Sequence, residues 1–212
     1  ASIETFSFEQ ESNKYCFKKK PVQTDDQIIT EVREGNPRKY ALLVERHKDR
    51  AFSLALRMLG SREDAEEIVQ DAFLRAFRSL NLFRGDARFG TWLYRIVYNL
   101  SLSRISRKKP FLEFHDLSDD HAALPAVDEG EVSLLDNLGD RELQDAVMAE
   151  VSNLPPHFRA ALSLFYIDDL TYDEMSSVMD IPLGTVKTYL FRGRNLLRKR
   201  IYERLNGEVQ VV

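Results

Sequence analysis

The sequence predicts an all-α protein in which two small helical domains are joined by an acidic flexible linker. Apolar residues recur with a period near 3.6 across most of residues 24–205, which is typical of amphipathic helices. Residues 110–140 interrupt this pattern with nine acidic side chains and no lysine or arginine, a composition too polar to form a core. We therefore expect domains over 24–109 and 141–207. Residues 1–23 precede them as a disordered extension without a readable pattern.

Three long helices are predicted in the first domain from their start and stop signals. Asn36 and Pro37 supply an N-cap followed by proline, and Gly60 ends that helix. Residues 61–64 have the pattern of a capping box and begin the next helix. Thr91 is placed to cap a third helix that runs to Arg107. The buried face of the first helix is predicted to comprise Tyr40, Leu43, Val44, His47, Ala51, Leu54, Ala55 and Met58.

The second domain is predicted to end in a helix-turn-helix. A helix over 141–151 and another that begins at Pro155 and Pro156 come first. Thr171 and Glu174, three residues apart, have the pattern of a capping box that begins a short helix. Residues 180–184 break this helix. Within the break, Pro182 favours a first helical turn and Gly184 would allow a neighbour to approach closely.

The last of these helices has the charge pattern of a DNA-binding helix. Seven lysines and arginines stand against one acid between residues 182 and 204, although the whole chain has a formal net charge of −4. A local excess of positive charge favours a phosphate backbone. The side predicted to pack inward is Val186, Leu190, Gly193, Leu197 and Ile201. The outer face, suited to base edges and phosphates in a major groove, is Lys187, Thr188, Phe191, Arg192 and Asn195.

A second candidate nucleic-acid surface is an aromatic–arginine cluster between residues 82 and 99. Aromatic rings beside arginines stack unpaired bases and neutralise backbone charge, as single-strand binding requires. Aromatic residues at helical spacing are more often packing residues of a conventional core, and the residues alone leave both interpretations open. The cluster consists of Phe83, Phe89, Trp92, Tyr94 and Tyr98 with Arg84, Arg88 and Arg95.

The helix that begins near residue 61 presents a third surface, with acidic and amide groups at i, i+3 and i+4 spacing. Carboxylates are rarely directed at DNA, so this face indicates a protein partner with basic residues. A merely solvated face fits the spacing as well. The residues concerned are Asp64, Glu67, Gln70 and Asp71.

Several classes of function are disfavoured by composition. A single cysteine, Cys16, cannot form a disulfide framework and fits a reducing cytoplasm. No apolar stretch approaches the length of a membrane span, and no secretory signal is recognisable. Phosphate-binding loops, dinucleotide turns and supported nucleophiles are absent from the sequence. We expect a cytoplasmic protein without membrane insertion, with no enzyme activity, no cofactor and no metal site.

Three segments, in this order, resemble the extracytoplasmic-function class of bacterial σ70-family sigma factors. Residues 64–74 (DAEEIVQDAFL) resemble the helix of region 2 that binds core RNA polymerase. Residues 83–99 (FRGDARFGTWLYRIVYN) resemble the segment that reads and melts the −10 element. Residues 154–159 (LPPHFR) and 183–188 (LGTVKT) resemble region 4, which reads the −35 element. Two departures, Tyr189 in place of a frequent arginine and Gly193 in place of a usual alanine, bear on the promoter sequence.

The resemblance implies a role for each surface. A sigma factor would bind core polymerase, direct it to promoters and promote DNA melting, under control of an anti-sigma factor. The residues implied to face the clamp helices of the polymerase are Asp64, Glu67, Gln70 and Asp71. Those implied to act on the melted −10 strand are Phe83, Arg84, Phe89, Trp92, Tyr94 and Asn99. Those implied to contact the −35 duplex are Lys187, Thr188, Phe191, Arg192 and Arg194.

A different class of function also fits the helix-turn-helix. An autonomous transcription regulator would bind duplex DNA without polymerase, but it would need a dimer face, which no spare apolar stripe supplies. Binding to core polymerase distinguishes the two functions.

Overall fold

The computed structural model describes residues 23–108 and 141–208, and every regular element in these two stretches is a helix. The all-α class and the two helical domains are thereby confirmed. The predicted extension up to residue 22, with Cys16, lies outside the described residues, and so does the acidic linker over 110–140.

Four helices form the first domain: α1 (Asp25–Arg33), α2 (Tyr40–Leu59), α3 (Arg62–Arg78) and α4 (Phe89–Lys108). Their ends follow local chemistry. Gly60, at φ +70°, ends α2 in the left-handed conformation, and the Ser61 hydroxyl accepts from the Asp64 N–H to cap α3. Thr24 and Gln27 form a full capping box that begins α1.

Two predicted starts in this domain need correction. Asn36 makes no side-chain cap bond, and a short 3-10 turn over residues 37–39 precedes α2. Thr91 is not the cap of α4, because the helix already begins at Phe89 and the Trp92 N–H bonds to the Arg88 carbonyl. Phe89 is buried in the core, and the helix begins three residues earlier than a cap at Thr91 would give.

The core of the first domain lies between α2, α3 and α4. Six of the eight residues predicted for the inner face of α2 are buried, while Val44 and His47 are half-buried. Helix α4 contacts α2, α3 and a helix of the second domain, so apolar residues lie on several of its sides. Helix α4 is therefore the central helix of the first domain.

The second domain comprises α5 (Arg141–Ser152), α6 (Pro156–Tyr166), α7 (Tyr172–Met179) and α8 (Leu183–Glu208). The capping box at Thr171 and Glu174 is present at the start of α7. Asp180, at φ +59°, ends α7 in the left-handed conformation that asparagine and aspartate tolerate. Helix α8 begins three residues later, which completes the helix-turn-helix.

The glycine that permits close packing is Gly193 rather than Gly184. A Cβ atom at Gly184 would meet nothing within 4 Å, whereas one at Gly193 would lie 3.3 Å from the Phe158 Cβ and 3.4 Å from two Leu162 atoms. Gly193 therefore lets α8 lie directly against α6. This contact gives a physical reason for a residue that costs up to about 1 kcal/mol within a helix.

Candidate nucleic-acid interface

Helix α8 separates a buried face from a basic one. Val186, Leu190 and Leu197 are buried against the rest of the domain, as predicted, and Ile201 is half-buried. On the opposite side the Lys187 ammonium is exposed and lies 5.9 Å from the centre of the Tyr172 ring. The helix therefore packs by its apolar side, and the exposed basic residues Lys187, Arg198 and Lys199 lie elsewhere on its surface.

The other residues predicted to contact duplex DNA are half-buried on this helix: Thr188, Phe191, Arg192 and Arg194. The Thr188 hydroxyl donates to the Gly184 carbonyl at 2.9 Å, and its oxygen retains capacity to accept. Arg194 donates to the Tyr166 hydroxyl of α6 at 3.4 Å. The structure thus places Arg194 at the flank of α8, beside α6.

The aromatic–arginine cluster divides into buried rings and exposed polar groups. Phe83, Phe89 and Tyr94 are 7%, 1% and 4% exposed. Phe89 lies 6.1 Å from Phe83 and 5.8 Å from Trp92, measured between ring centroids, in edge-on and tilted arrangements typical of aromatic packing. Burial raises the pKa of the Tyr94 hydroxyl to about 12.

For these three rings the structure favours the core interpretation, because none has an accessible face on which a base can stack. Trp92 is half-buried at the edge of the cluster, and Arg84 and Asn99 are exposed. A turn at Gly85, with φ +81°, lies next to Arg84 in the loop that leads into α4. Contact with a melted strand therefore stays a prediction, carried by Arg84, Trp92 and Asn99.

The predicted polymerase-binding face of α3 is also divided. Asp64 is buried to 9% exposure and accepts from Arg104 of α4 at 2.8 Å and from Lys108. Arg104 also binds Glu67 at 2.7 Å. These two carboxylates bind α3 to α4, whereas Gln70 and Asp71 are exposed.

Sequence reasoning missed the apolar part of this face. Leu74 and Phe77 are 52% and 41% exposed, and Leu82 beyond α3 is 78% exposed. Leu74 lies three and four residues after Asp71 and Gln70, so the three share one side of the helix. The signal was present in the spacing, but an apolar residue in an amphipathic helix is normally assigned to the core.

Acid is expected to weaken the link between α3 and α4. The hydrogen bond from Lys108 lowers the pKa of the Asp64 carboxyl, and the one from Arg104 lowers that of Glu67. A carboxyl whose pKa is lower in the folded chain than in the unfolded chain stabilises the fold. This contribution is complete above the pKa of the unfolded chain, about 4, and is lost as the pH falls through the pKa of the folded chain. Chemical denaturation between pH 3 and 7 should show a shallower acid decline for Asp64→Asn than for the parent chain. Parallel declines would contradict this assignment.

No helix in the described part of the chain is long and apolar enough to cross a membrane.

Comparison with known proteins identifies both domains. Residues 43–111 match the family Sigma-70 region 2, and residues 144–197 match the family Sigma-70, region 4. The ECF RNA polymerase sigma factor SigW of Bacillus subtilis is 36% identical over 177 residues, which cover 82% of this chain and 94% of that protein. The ECF RNA polymerase sigma-E factor of Escherichia coli strain K12 is 32% identical over 185 residues, or 84% and 94% of the two chains.

Solved structures show the same fold. CnrH, solved in complex with the cytosolic domain of CnrY, aligns with a TM-score of 0.57 at 22% identity, over 82% of this chain and 94% of that one. The sigma factor RpoE from Bartonella quintana, solved with the anti-sigma factor NepR, aligns with a TM-score of 0.56 at 20% identity, over 76% and 94%.

An autonomous regulator that acts without polymerase would not account for the match to region 2. Of the two functions considered from the sequence, that of a sigma factor remains. The chain belongs to the extracytoplasmic-function class of σ70-family sigma factors, the transcription initiation factors that direct RNA polymerase to promoters.

Proposed function

We propose that this sigma factor divides promoter recognition between three surfaces, each held by a different helix. The observation that carries the proposal is the separation of α8 into a buried side and a basic, solvent-facing side. A helix anchored in this way can enter a major groove without losing its packing. Lys187, Phe191 and Arg192 are the side chains we assign to the −35 duplex, with Thr188 beside them and Arg194 at the edge.

The −10 strand is assigned to the exposed part of the aromatic–arginine cluster. Arg84 and Asn99 offer donors at the surface, and Trp92 offers part of a ring for stacking. The buried Phe83, Phe89 and Tyr94 support this surface from beneath. Binding energy gained on the unpaired strand would offset the few kcal/mol that unstacking a base costs.

Docking on core polymerase is assigned to the exposed side of α3. Gln70 and Asp71 provide the polar contacts, and Leu74 and Phe77 provide exposed apolar area beside them. Interfaces typically combine an apolar centre with a polar rim, which these residues can form. In this assignment Asp64 and Glu67 act through α4, by holding the orientation of α3.

The mechanism contains no covalent step, since each surface acts by binding and binding alone shifts DNA toward the open state. The acidic linker over 110–140, which lies outside the described residues, would follow the nucleic-acid path of the polymerase. Relatives of this fold were solved with CnrY and with the anti-sigma factor NepR, which supports control of this chain by an anti-sigma factor. We place its action in the cytoplasm.

Co-elution of the full chain with bacterial core RNA polymerase in moderate salt tests the docking assignment. We expect the parent chain to co-elute and Asp71→Arg to bind at least about tenfold more weakly, because a like charge opposite basic residues is unfavourable. Glu203→Arg, which makes the same charge change at an exposed position of α8, should bind like the parent. Equal binding by Asp71→Arg would remove α3 from the interface. Failure of the parent chain to co-elute, while it still binds duplex DNA by itself, would contradict the whole proposal.

A further inference from the structure

Helix α1 belongs to none of the three surfaces assigned to DNA and polymerase, yet its side chains reach the loop before α4. That loop, residues 84–88, is called the −10 loop here because it carries Arg84. It joins the 3-10 turn over Leu80–Leu82 to the first turn of α4 through Phe83. Ile28 and Ile29 are 0% and 2% exposed and fix α1 in the core of the domain. A helix anchored in this way is a rigid support for its neighbours.

Arg33, in the last turn of α1, holds the chain where it enters the −10 loop. Its Nη2 donates to the Leu80 carbonyl at 2.7 Å and also to the Phe83 carbonyl. The Phe83 N–H itself donates to the Leu80 carbonyl at 3.1 Å, so the guanidinium joins both ends of this turn. Phe83 immediately precedes Arg84. The bond to its carbonyl therefore fixes the direction in which the chain leaves for the loop.

The other end of the −10 loop is connected to α1 through a histidine. His47 Nε2 lies 2.7 Å from Asp25 Oδ2 of α1, and Asp25 Oδ1 accepts from Arg46 at 2.9 Å. The His47 ring is 5.2 Å from the Phe89 ring, measured between centroids. A Cβ atom at Gly90 would lie 3.3 Å from His47 Cε1, so the first turn of α4 packs closely against this ring. Asp25 thereby supports the point at which the chain leaves the loop.

Both attachments of the −10 loop lead to the same helix. Asp25 is the first residue of α1 and Arg33 is the last, about 12 Å away at ~1.5 Å per residue. Between the attachments, Arg84, Gly85 and Asp86 are exposed. A loop whose ends are already fixed loses less conformational freedom on binding than a free loop, so it binds more tightly. The contacts with α1 therefore restrict the loop before any DNA strand is bound.

We propose that Arg33 is a positioning residue for promoter melting: from α1 it sets the conformation of the −10 loop and, through it, the placement of Arg84 and of the Trp92 ring. The inference rests on the proposed assignment of the melted strand to Arg84, Trp92 and Asn99. The Trp92 ring lies 5.1 Å from that of Phe83, measured between centroids. A shift of Phe83 would therefore move the ring on which a base is proposed to stack.

The exposure of Arg33 separates this role from folding. Arg33 is exposed, so its truncation opens no cavity in the core. The Leu80 carbonyl would keep the Phe83 N–H as a donor. Substitutions at exposed positions usually change stability little. Phe89, by contrast, is buried, so its loss acts on the loop and on the core together. An effect of Arg33 on promoter opening can therefore be measured in a folded domain.

Fluorescence of the free full chain tests the attachment without DNA, because Trp92 is the single tryptophan of the chain. Acrylamide quenching measures how accessible its ring is. We expect Arg33→Ala to raise the quenching constant, since Phe83 beside the ring is released. Arg33→Lys, whose ammonium can also donate to two carbonyls, should restore the parent value. Arg38→Ala, which removes a nearby exposed arginine, should match the parent. Equal quenching in Arg33→Ala and the parent would overturn the proposal.

Promoter opening by the reconstituted holoenzyme is the second measurement, on duplex DNA selected by the parent holoenzyme. Arg33→Ala should reduce opening about threefold to tenfold, the range that loss of one hydrogen bond supplies. Co-elution with core polymerase should be unchanged, because the loop is separate from the exposed side of α3. Arg33→Lys should recover opening, and Arg38→Ala should open promoters like the parent. Parental opening by Arg33→Ala would contradict the positioning role.

A double-mutant cycle with Arg84→Ala distinguishes positioning from direct contact of Arg33 with DNA. If Arg33 acts through the loop, its truncation should have a smaller effect in the Arg84→Ala background than in the parent. Effects that multiply would indicate an independent DNA contact and would overturn the proposal. If Arg33→Ala lowers the midpoint of chemical denaturation, Asp25→Asn at the other attachment is measured in its place under the same criteria. If Arg84→Ala alone opens promoters like the parent, the −10 assignment fails, while quenching still decides whether Arg33 holds the loop.

Discussion

Replacing Phe89 by alanine is expected to lower the free energy of unfolding by about 3–5 kcal/mol, the usual cost of removing a large buried ring. Phe89 is 1% exposed and packs against Phe83, Trp92 and the ring of His47 at 5.2 Å. Its loss would leave a cavity at the first turn of α4. Chemical denaturation followed by circular dichroism measures the change, and promoter opening should decline in parallel with stability.

Arg84→Ala is the matched variant for this prediction, because Arg84 lies in the same cluster but is exposed. Its stability should stay within about 0.5 kcal/mol of the parent, while promoter opening declines and polymerase binding does not. Loss of opening in Arg84→Ala without loss of stability separates a DNA contact from a core contact. A stable Phe89→Ala chain that fails to melt DNA would instead assign Phe89 to the strand, against its burial.

Arg192→Ala is expected to weaken binding to the −35 duplex by about 1–3 kcal/mol, or roughly tenfold to a hundredfold. Arg192 is half-buried on α8, and a bidentate contact from its guanidinium to a guanine would distinguish one base pair from another. Loss of a base contact should relax discrimination at one position of the site. Fluorescence anisotropy with a duplex selected by the holoenzyme, and with single-base variants of it, measures both effects.

Lys199→Ala supplies the comparison for Arg192. Lys199 is exposed near the end of the same helix and pairs with Glu203 at 3.8 Å, so only a general phosphate attraction is expected from it. Its removal should weaken all duplexes alike and reduce their salt dependence. If Arg192→Ala behaves in the same uniform way, Arg192 is a phosphate contact and the base-reading assignment is wrong.

The parts of the fold that follow from short-range chemistry were predictable from the sequence. The capping box at Thr171 and Glu174 and the left-handed glycine at residue 60 depend on neighbours within four residues. The inner side of α8 also follows from the helical period alone. The start of α4 could not be predicted in this way, because Phe89 in its first turn is buried against residues distant in the chain, such as His47.

The residue types of the candidate site were predictable from the sequence, but the solvent exposure of each side chain was not. Aromatic residues serve cores and base-stacking surfaces equally well, and only the packing shows that Phe83, Phe89 and Tyr94 are buried whereas Trp92 is half-exposed. The ion pair between Arg57 of the first domain and Asp168 of the second could not be predicted at all. Arg57 and Asp168 are 111 residues apart in the chain, and no local pattern signals that their charges meet.

The close contact between Gly193 and α6 affects how precisely α8 is oriented toward DNA. The contact lies ten residues from the start of the helix, a lever of ~15 Å at ~1.5 Å per residue. A side chain that tilted α8 by about 5° would displace its first turn by roughly 1.3 Å, more than the ~0.5 Å range of good hydrogen-bond lengths. Substitution at this glycine is therefore expected to alter which bases are preferred, although residue 193 itself would not contact DNA. The promoter preference of this sigma factor would then depend partly on the packing of α8 against α6.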